Sequence, residues 1–229
     1  YEILRCLVGS EMCIRDRLRM RRKGIQVFII APLKGHEFYR AARNVGGEFI
    51  QISPASKNCI NIMEIRKVDN SVNELLDGPT LDASALAGKI QRLHIFFSLL
   101  IPDMSHEEKQ LLDEALIKTY ARKGITHKNE SLTDPQHPEQ YKKMPILEDV
   151  YNVLLESEDT KRLAHILNRL VHGSASSFNQ QTNVDLTNKY TVLDISELTG
   201  SSDLLTVGMF VALDYVWDKA KAVSYTHLR

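Results

Sequence analysis

The residues best placed to do chemistry lie in one loop, APLKGHEFYR (31–40). It follows the apolar, β-branched run Gln26–Ile30, which Gly24 precedes and Pro32 stops. Such a run reads as a buried parallel strand. Polar side chains just past the carboxyl end of such a strand stand where α/β sheets bind ligands, and Lys34, His36 and Glu37 are placed there. Glu37 could orient a water or a metal ion beside a nucleotide. Its other reading is structural: an acid in the first turn of a helix starting near Phe38, favoured by the helix dipole. His36 taken alone is a surface histidine.

Two further stretches carry clustered polar groups. QISPASKNCIN (51–61) could contact phosphate or an adjoining subunit through its serines, Lys57 and Asn58, or could be a turn held by its own Ser and Asn side chains. GSASSFNQQTNVD (173–185) could touch a partner strand or be a polar loop. His165 and His172, seven apart on one helical face, are too far apart to chelate.

Self-sufficient catalytic motifs are missing. Neither G-x-x-x-x-G-K-[ST] nor G-x-G-x-x-G occurs, and Gly88-Lys89 sits in a helical pattern with Ile90 after it. There is no H-E-x-x-H, C-x-x-C or G-x-S-x-G, and no metal site is expected. The cysteines, Cys6, Cys13 and Cys59, are odd in number and irregular in spacing, which argues against a disulfide framework and for a reducing compartment.

The elements that must position these residues follow from periodicity. After the first strand, His36–Asn44 reads as a short helix ended by Gly46-Gly47, and Glu48–Ile52 alternates as a second strand. Cys59–Ile65 is an extended or turn segment. From Leu81 the period becomes helical. Leu86, Ile90, Leu93, Phe97 and Leu100 make one stripe that Pro102 terminates. Ser105 and Glu108 fit a capping box, opening a helix that buries Leu111, Leu112, Ala115, Leu116 and Tyr120. Helices through Val150–Leu154 and Glu158–His172 complete a bundle of four. Tyr190–Ile195 is a third strand, and Ser202 or Asp203 caps a final helix, Leu204–Lys221, that buries Leu205, Met209, Leu213 and Trp217. The fold class is α/β with an all-α helical insertion.

The chain of 229 residues has 29 basic and 29 acidic side chains, 43% hydrophobic and 25% charged residues. That is the balance of a globular domain without a global field toward nucleic acid or membrane. The terminal strings 1–17 and 222–229 resemble translated sequencing-adaptor DNA, with natural disordered ends as the alternative. The divisions expected are then 1–17 non-native, 18–80 α/β, 81–172 all-α, 173–221 α/β again, and 222–229 non-native.

At GHEF, GGEFIQISPAS, NCINIMEI, KIQRLHIFFSLLIPDMSHEEKQLLDEAL and GSASSFNQQTNVDLTNKYTVLDI, the chain resembles the conjugative-transfer ATPases of type IV secretion systems, P-loop NTPases of the HerA/FtsK-like group. The resemblance covers roughly Arg19–Lys221. It implies an internal piece of a P-loop NTPase-like sheet whose phosphate loop lies upstream of residue 19 and whose Asp-Glu strand lies downstream of residue 221. It implies ATP and magnesium as cofactors of the parent and secretion-machinery proteins as its partners. It also implies a homo-oligomer (a hexamer), bacterial mobile elements as the setting, and a cytoplasmic place, peripheral at the inner face of the membrane. Relatives often carry Asp-Pro-Glu after the first strand, where Ala31-Pro32-Leu33 stands here. Pro32 and Glu37 are the positions carried over as cofactor-binding, and Glu37 as catalytic. The fragment lacks both nucleotide motifs and is expected to be inactive alone. The alternative is a non-catalytic helical protein-interaction module. A third reading, direct DNA contact through Arg19–Lys23, rests on a charge run that is more simply a solvated face.

Overall fold

The computed structural model describes residues 10–66 and 84–226, with side chains for 16–66 and 84–219. Cys6 and the start of the expected all-α segment at 81 lie outside the described residues, as do residues 227–229 of the C-terminal string.

Three parallel strands form the sheet: β1 (Val27–Ala31), β2 (Glu48–Gln51) and β3 (Tyr190–Asp194). Their order is β1-β3-β2, so the last strand in sequence is the central one. The pairing runs Val27 to Tyr190 and Ala31 to Asp194 on one side, and Glu48 to Thr191 and Gln51 to Asp194 on the other. β3 is buried at all five positions, as a central parallel strand must be, whereas β1 alternates buried and half-buried positions at an edge. The continuous apolar run at 26–30 therefore marks a strand covered on both faces and not a central one.

Between β1 and β2 runs α2 (Gly35–Asn44), and Gly46, at φ 63°, turns the chain out of it. The N–H of Gly47 returns to Ala42 O, which satisfies an end carbonyl of the helix. α2 covers one face of the sheet, where Val27, Ile29, Ala31, Ala42, Tyr190 and Val192 pack together. α1 (Ser10–Arg22) lies beside them, with Leu18 and Met20 against this cluster. The sequence up to residue 17 has no period in common with the strand at 27–31, yet a helix forms there. Its Glu, Met, Leu and Arg residues are good helix formers, and two apolar side chains suffice to seat it.

The other face belongs to the helical block: α3 (Ala85–Leu100), α4 (His106–Arg122), α5 (Leu147–Leu154) and α6 (Lys161–Val171). The long α7 (Ser202–Thr226) closes it, running beyond Lys221, where the sequence pattern places its end; Leu213 and Trp217, expected inside, are exposed, and the buried stripe is Leu204, Val207, Val211 and Tyr215, one register round the helix. Leu93, Phe96, Phe97, Leu112, Leu116, Leu147 and Leu167 form one continuous core with Ile50, Leu193 and Ile195 from the sheet side. The Ser105–Glu108 box is present in both directions, with Ser105 Oγ accepting from Glu108 N and Glu108 Oε2 from Ser105 N. α5 is anchored likewise, its Asp149 carboxylate accepting from Ile146 N. Among the described residues no helix is long and apolar enough to cross a membrane.

Candidate functional site at the carboxyl edge of the sheet

Ala31, Asp194 and Gln51 end their strands side by side in register. The row continues through the backbone, Ile195 N donating to Ala31 O and Ile52 N to Asp194 O. Asp194 is 5% exposed, and a Cβ built on Gly35 would lie 2.5 Å from its Oδ2. Glycine at the first position of α2 thus lets a buried carboxylate from the neighbouring strand reach the positive end of that helix. The residue before it, Lys34, takes left-handed backbone angles (φ 60°, ψ 33°) and provides no side-chain cap. Asp194 fills that place electrostatically, and its Oδ1 also accepts from Ser196 N.

Glu37 stands in the first turn of α2, its N–H donated to Lys34 O and its exposed carboxylate 3.9 Å from Lys34 Nζ. Lys34 and Glu37 are therefore brought together, while His36 is exposed beside them and Pro32 lies in the bend between β1 and α2. Gln51 Nε2 donates to Glu197 Oε1, which ties β2 to the turn after β3.

The second and third stretches are spent on each other and on themselves. Ser56 Oγ and Asn58 Nδ2 both donate to Gln51 O, so residues 51–58 are a turn held by its own side chains. Cys59 N donates to Asn183 Oδ1, Asn183 Nδ2 to Lys57 O, Asn61 N to Thr182 Oγ1 and Ser177 Oγ to Ser53 O. The two loops thus form one polar seam between sheet and helices. Cys59 is buried there as a free thiol, its pKa raised by burial.

That seam leads to a charge cluster that no motif in the sequence signals. Lys89 of α3, fully buried, donates to Ile62 O at 3.0 Å and to Asp214 Oδ2 at 3.2 Å. Arg92 Nη1 bridges Asp214 Oδ1 at 3.0 Å and Asp218 Oδ1 at 2.6 Å. Arg66 Nη1 reaches Asp218 Oδ2 at 2.9 Å, and its guanidinium lies 4.4 Å over the Tyr215 ring. Tyr120 OH donates to Met63 O. Burial lowers the Lys89 pKa to about 8, against the opposing pull of Asp214. Burial raises that of Tyr215 to about 12. Beside the cluster opens a cleft of about 610 Å³ lined by Glu64, Arg66, Lys142, Lys143, Gln181 and Lys219. Lys89 and Arg92 at i, i+3 and Asp214 and Asp218 at i, i+4, all on the core side of apolar helices, are the pattern that could have pointed to it.

Among the described residues no group of three or more His, Cys, Asp or Glu side chains could hold a metal ion. No family model matches the chain, and no curated protein matches it. Among solved structures, VirB4 of Thermoanaerobacter pseudethanolicus superposes at a TM-score of 0.74 with 25% sequence identity, over 92% of this chain and 75% of that one. The fold is VirB4-like. The likeness extends over nearly the whole chain.

Proposed function

We propose that this chain is part of a type IV secretion ATPase of the HerA/FtsK-like group, whose parent couples ATP hydrolysis to the transfer of DNA or protein. The observation that carries the reading is the VirB4-like fold over 92% of the chain. The ordered motif resemblance at 35–38, 46–65 and 173–195 supports it from the sequence.

The residues present do not themselves form a site for ATP with magnesium. The N-terminus of α2, the place at the sheet edge where a phosphate would otherwise be drawn, already holds the Asp194 carboxylate, which repels another anion. No glycine-rich cradle or metal-ligand group accompanies it among the described residues. Phosphoryl transfer needs a phosphate cradle and a metal-holding acid together, and in this reading both come from sequence outside the chain. No hydrolytic step is assigned to these residues. Glu37, exposed in the first turn of α2, and Pro32 before it are the positions offered to the rim of such a site.

The test has two arms. Reading the source DNA outward should show a G-x-x-x-x-G-K-[ST] shortly before Arg19; a complete upstream frame without one refutes the proposal. The purified chain should release no phosphate from ATP above background. Turnover that is lost in Glu37→Ala overturns the placement of the machinery outside it.

A further inference from the structure

The cleft beside the buried charge cluster carries more positive charge than its own acids neutralise. It encloses about 610 Å³ between the 64–66 segment, the 140–144 segment and Tyr215, Asp218 and Lys219 of α7. The inner cluster is electrically closed. Lys89, Arg92 and Arg66 face Asp214, Asp218 and Glu64, each cation within 3.3 Å of an acid. The rim is not closed. Lys142 Nζ donates to Gly124 O at 2.8 Å and Lys143 is exposed, and neither meets a carboxylate among the described residues. Lys219 reaches Asp185 only at 3.9 Å, and both side chains are open enough to water for the pair to be screened, which leaves that ammonium available. Lys142, Lys143 and Lys219 thus line one concave surface. A cleft lined by one sign of charge focuses its field and concentrates the opposite ion there.

The chemistry of the walls selects the ligand. Ammonium groups hold phosphate oxygens as compact point charges, without the two-pronged fit by which arginine reads a carboxylate. Arg66, the guanidinium in the lining, is already taken by Asp218 and Glu64 and lies over the Tyr215 ring. Gln181 spends its amide on Met144 O and Asn61 Nδ2, and Tyr215 OH is spent on Val184 O. Little in the walls is left to read a base or a sugar, so recognition rests on charge. The volume lies in the range of small-molecule sites, about 300–1,000 Å³, and exceeds what one orthophosphate fills. We infer that this cleft binds a di- or triphosphate, free or as the phosphate chain of a nucleotide, held by Lys142, Lys143 and Lys219. It shares no residue with the carboxyl edge of the sheet, and it stands whether or not the parent turns over ATP.

The probe is inorganic pyrophosphate, titrated by calorimetry into the purified chain in metal-free buffer. Binding should saturate at one site, exceed that of orthophosphate and weaken as salt rises. Lys143→Glu and Lys219→Glu should each weaken it at least tenfold with an unchanged circular dichroism spectrum. Lys109→Glu, at an exposed lysine of α4 outside the cleft, should leave it unchanged. If Lys219→Glu loses its fold, the exposed Lys143 carries the test alone. ADP and adenosine separate the sources. ADP that binds no tighter than pyrophosphate marks free polyphosphate as the ligand, and ADP that binds tighter marks a nucleotide. Adenosine that binds as well as ADP overturns the inference. So does the absence of a saturable response to pyrophosphate, as when another stretch of polypeptide fills the cleft. A response that Lys109→Glu weakens as much as Lys143→Glu overturns it too, because the binding is then diffuse surface charge.

Discussion

The buried charge cluster gives two substitutions that should move stability in different ways although they alter the two ends of one ion pair. Removing Asp214 leaves Lys89, Arg66 and Arg92 facing each other with Asp218 as their remaining acid in the cluster core. Breaking a buried pair from one side costs about 3–5 kcal/mol, because the surviving charge is uncompensated, and Asp214→Asn should lie in that range. Removing Lys89 is different. Asp214 keeps Arg92 at 3.0 Å and Arg66 at 3.7 Å, and an apolar methionine fills the lysine's place. The Lys89 pKa falls from 10.5 to about 8 mainly because burial penalises its charge. At about 1.4 kcal/mol per unit, that drop corresponds to a penalty on the order of 3 kcal/mol on the charged form. Lys89→Met removes this penalty together with the hydrogen bond to Ile62 O, worth about 1 kcal/mol or somewhat more with a charged donor. Near pH 7 it should be neutral to mildly stabilising. The pH profile separates the two effects. Between pH 8 and 10.5 the folded chain has shed the Lys89 proton and the unfolded chain has not, so unfolding takes up a proton and stability from this group rises with pH. The gain is lost as pH falls from 10.5 to about 8, below which both states carry the proton and this group's contribution is flat. Tyr215 and Cys59, whose pKa values burial raises, act oppositely above about pH 10 and pH 9, so the signal is read as the difference between wild type and Lys89→Met over about pH 7.5–9.5. Urea denaturation followed by circular dichroism at steps across that window should show a rise in wild type that Lys89→Met lacks. An identical slope in both proteins, or an Asp214→Asn variant no less stable than Lys89→Met, would refute the reasoning.

Other substitutions probe the site edge and the frame that holds it. Gly35→Ala pushes a methyl to within 2.5 Å of the Asp194 carboxylate and should cost about 1–3 kcal/mol in urea denaturation, with most of it recovered in the Gly35→Ala, Asp194→Ala double variant. Lys34→Gly relieves left-handed backbone at the start of α2 and should raise thermal stability by up to about 1 kcal/mol; a lowered melting temperature would contradict this. Ser105→Ala breaks the capping box of α4 at a cost of about 1 kcal/mol, read as a drop in urea midpoint at constant slope. Leu93→Ala, fully buried where α3 meets the core, should cost about 2–5 kcal/mol by the same assay.

Periodicity revealed the elements because each has one apolar face to bury. Leu86, Ile90, Leu93 and Phe97 recur at helical spacing and do line the core side of α3. Strand order was not legible, since local pattern says nothing about which strand a later one joins; β3 enters between β1 and β2 from far downstream in the chain. The polar loops were legible only as pairs of alternatives. Asn58 and Ser56 close their own turn, as Ser and Asn do, but that Asn183 and Thr182 would zip to the 57–61 backbone is a tertiary fact.

The acid at the sheet edge becomes visible only once the strands are paired. Ala31 leaves the end of β1 without a charge when that strand is read alone. In the sheet, Ala31 and Asp194 are direct neighbours on adjacent strands. The row therefore carries a carboxylate at its carboxyl edge, turned to the N-terminus of α2 through the gap that Gly35 leaves. A charge held by a helix end and a backbone N–H is fixed in place and neutralised in part. It therefore serves to hold the Lys34–Glu37 turn in a defined position relative to the sheet. The buried cluster does the corresponding work on the opposite side, where Lys89 and Arg92 of α3 are pinned to Asp214 and Asp218 of α7 and to the 62–66 segment. Carboxylates thus tie β3 to α2 at one place and α3 to α7 and the 62–66 segment at the other. Asp194 and the start of α7 are separated by one short turn, Ser196–Gly200, so β3 and α7 link the two carboxylate sites directly along the chain.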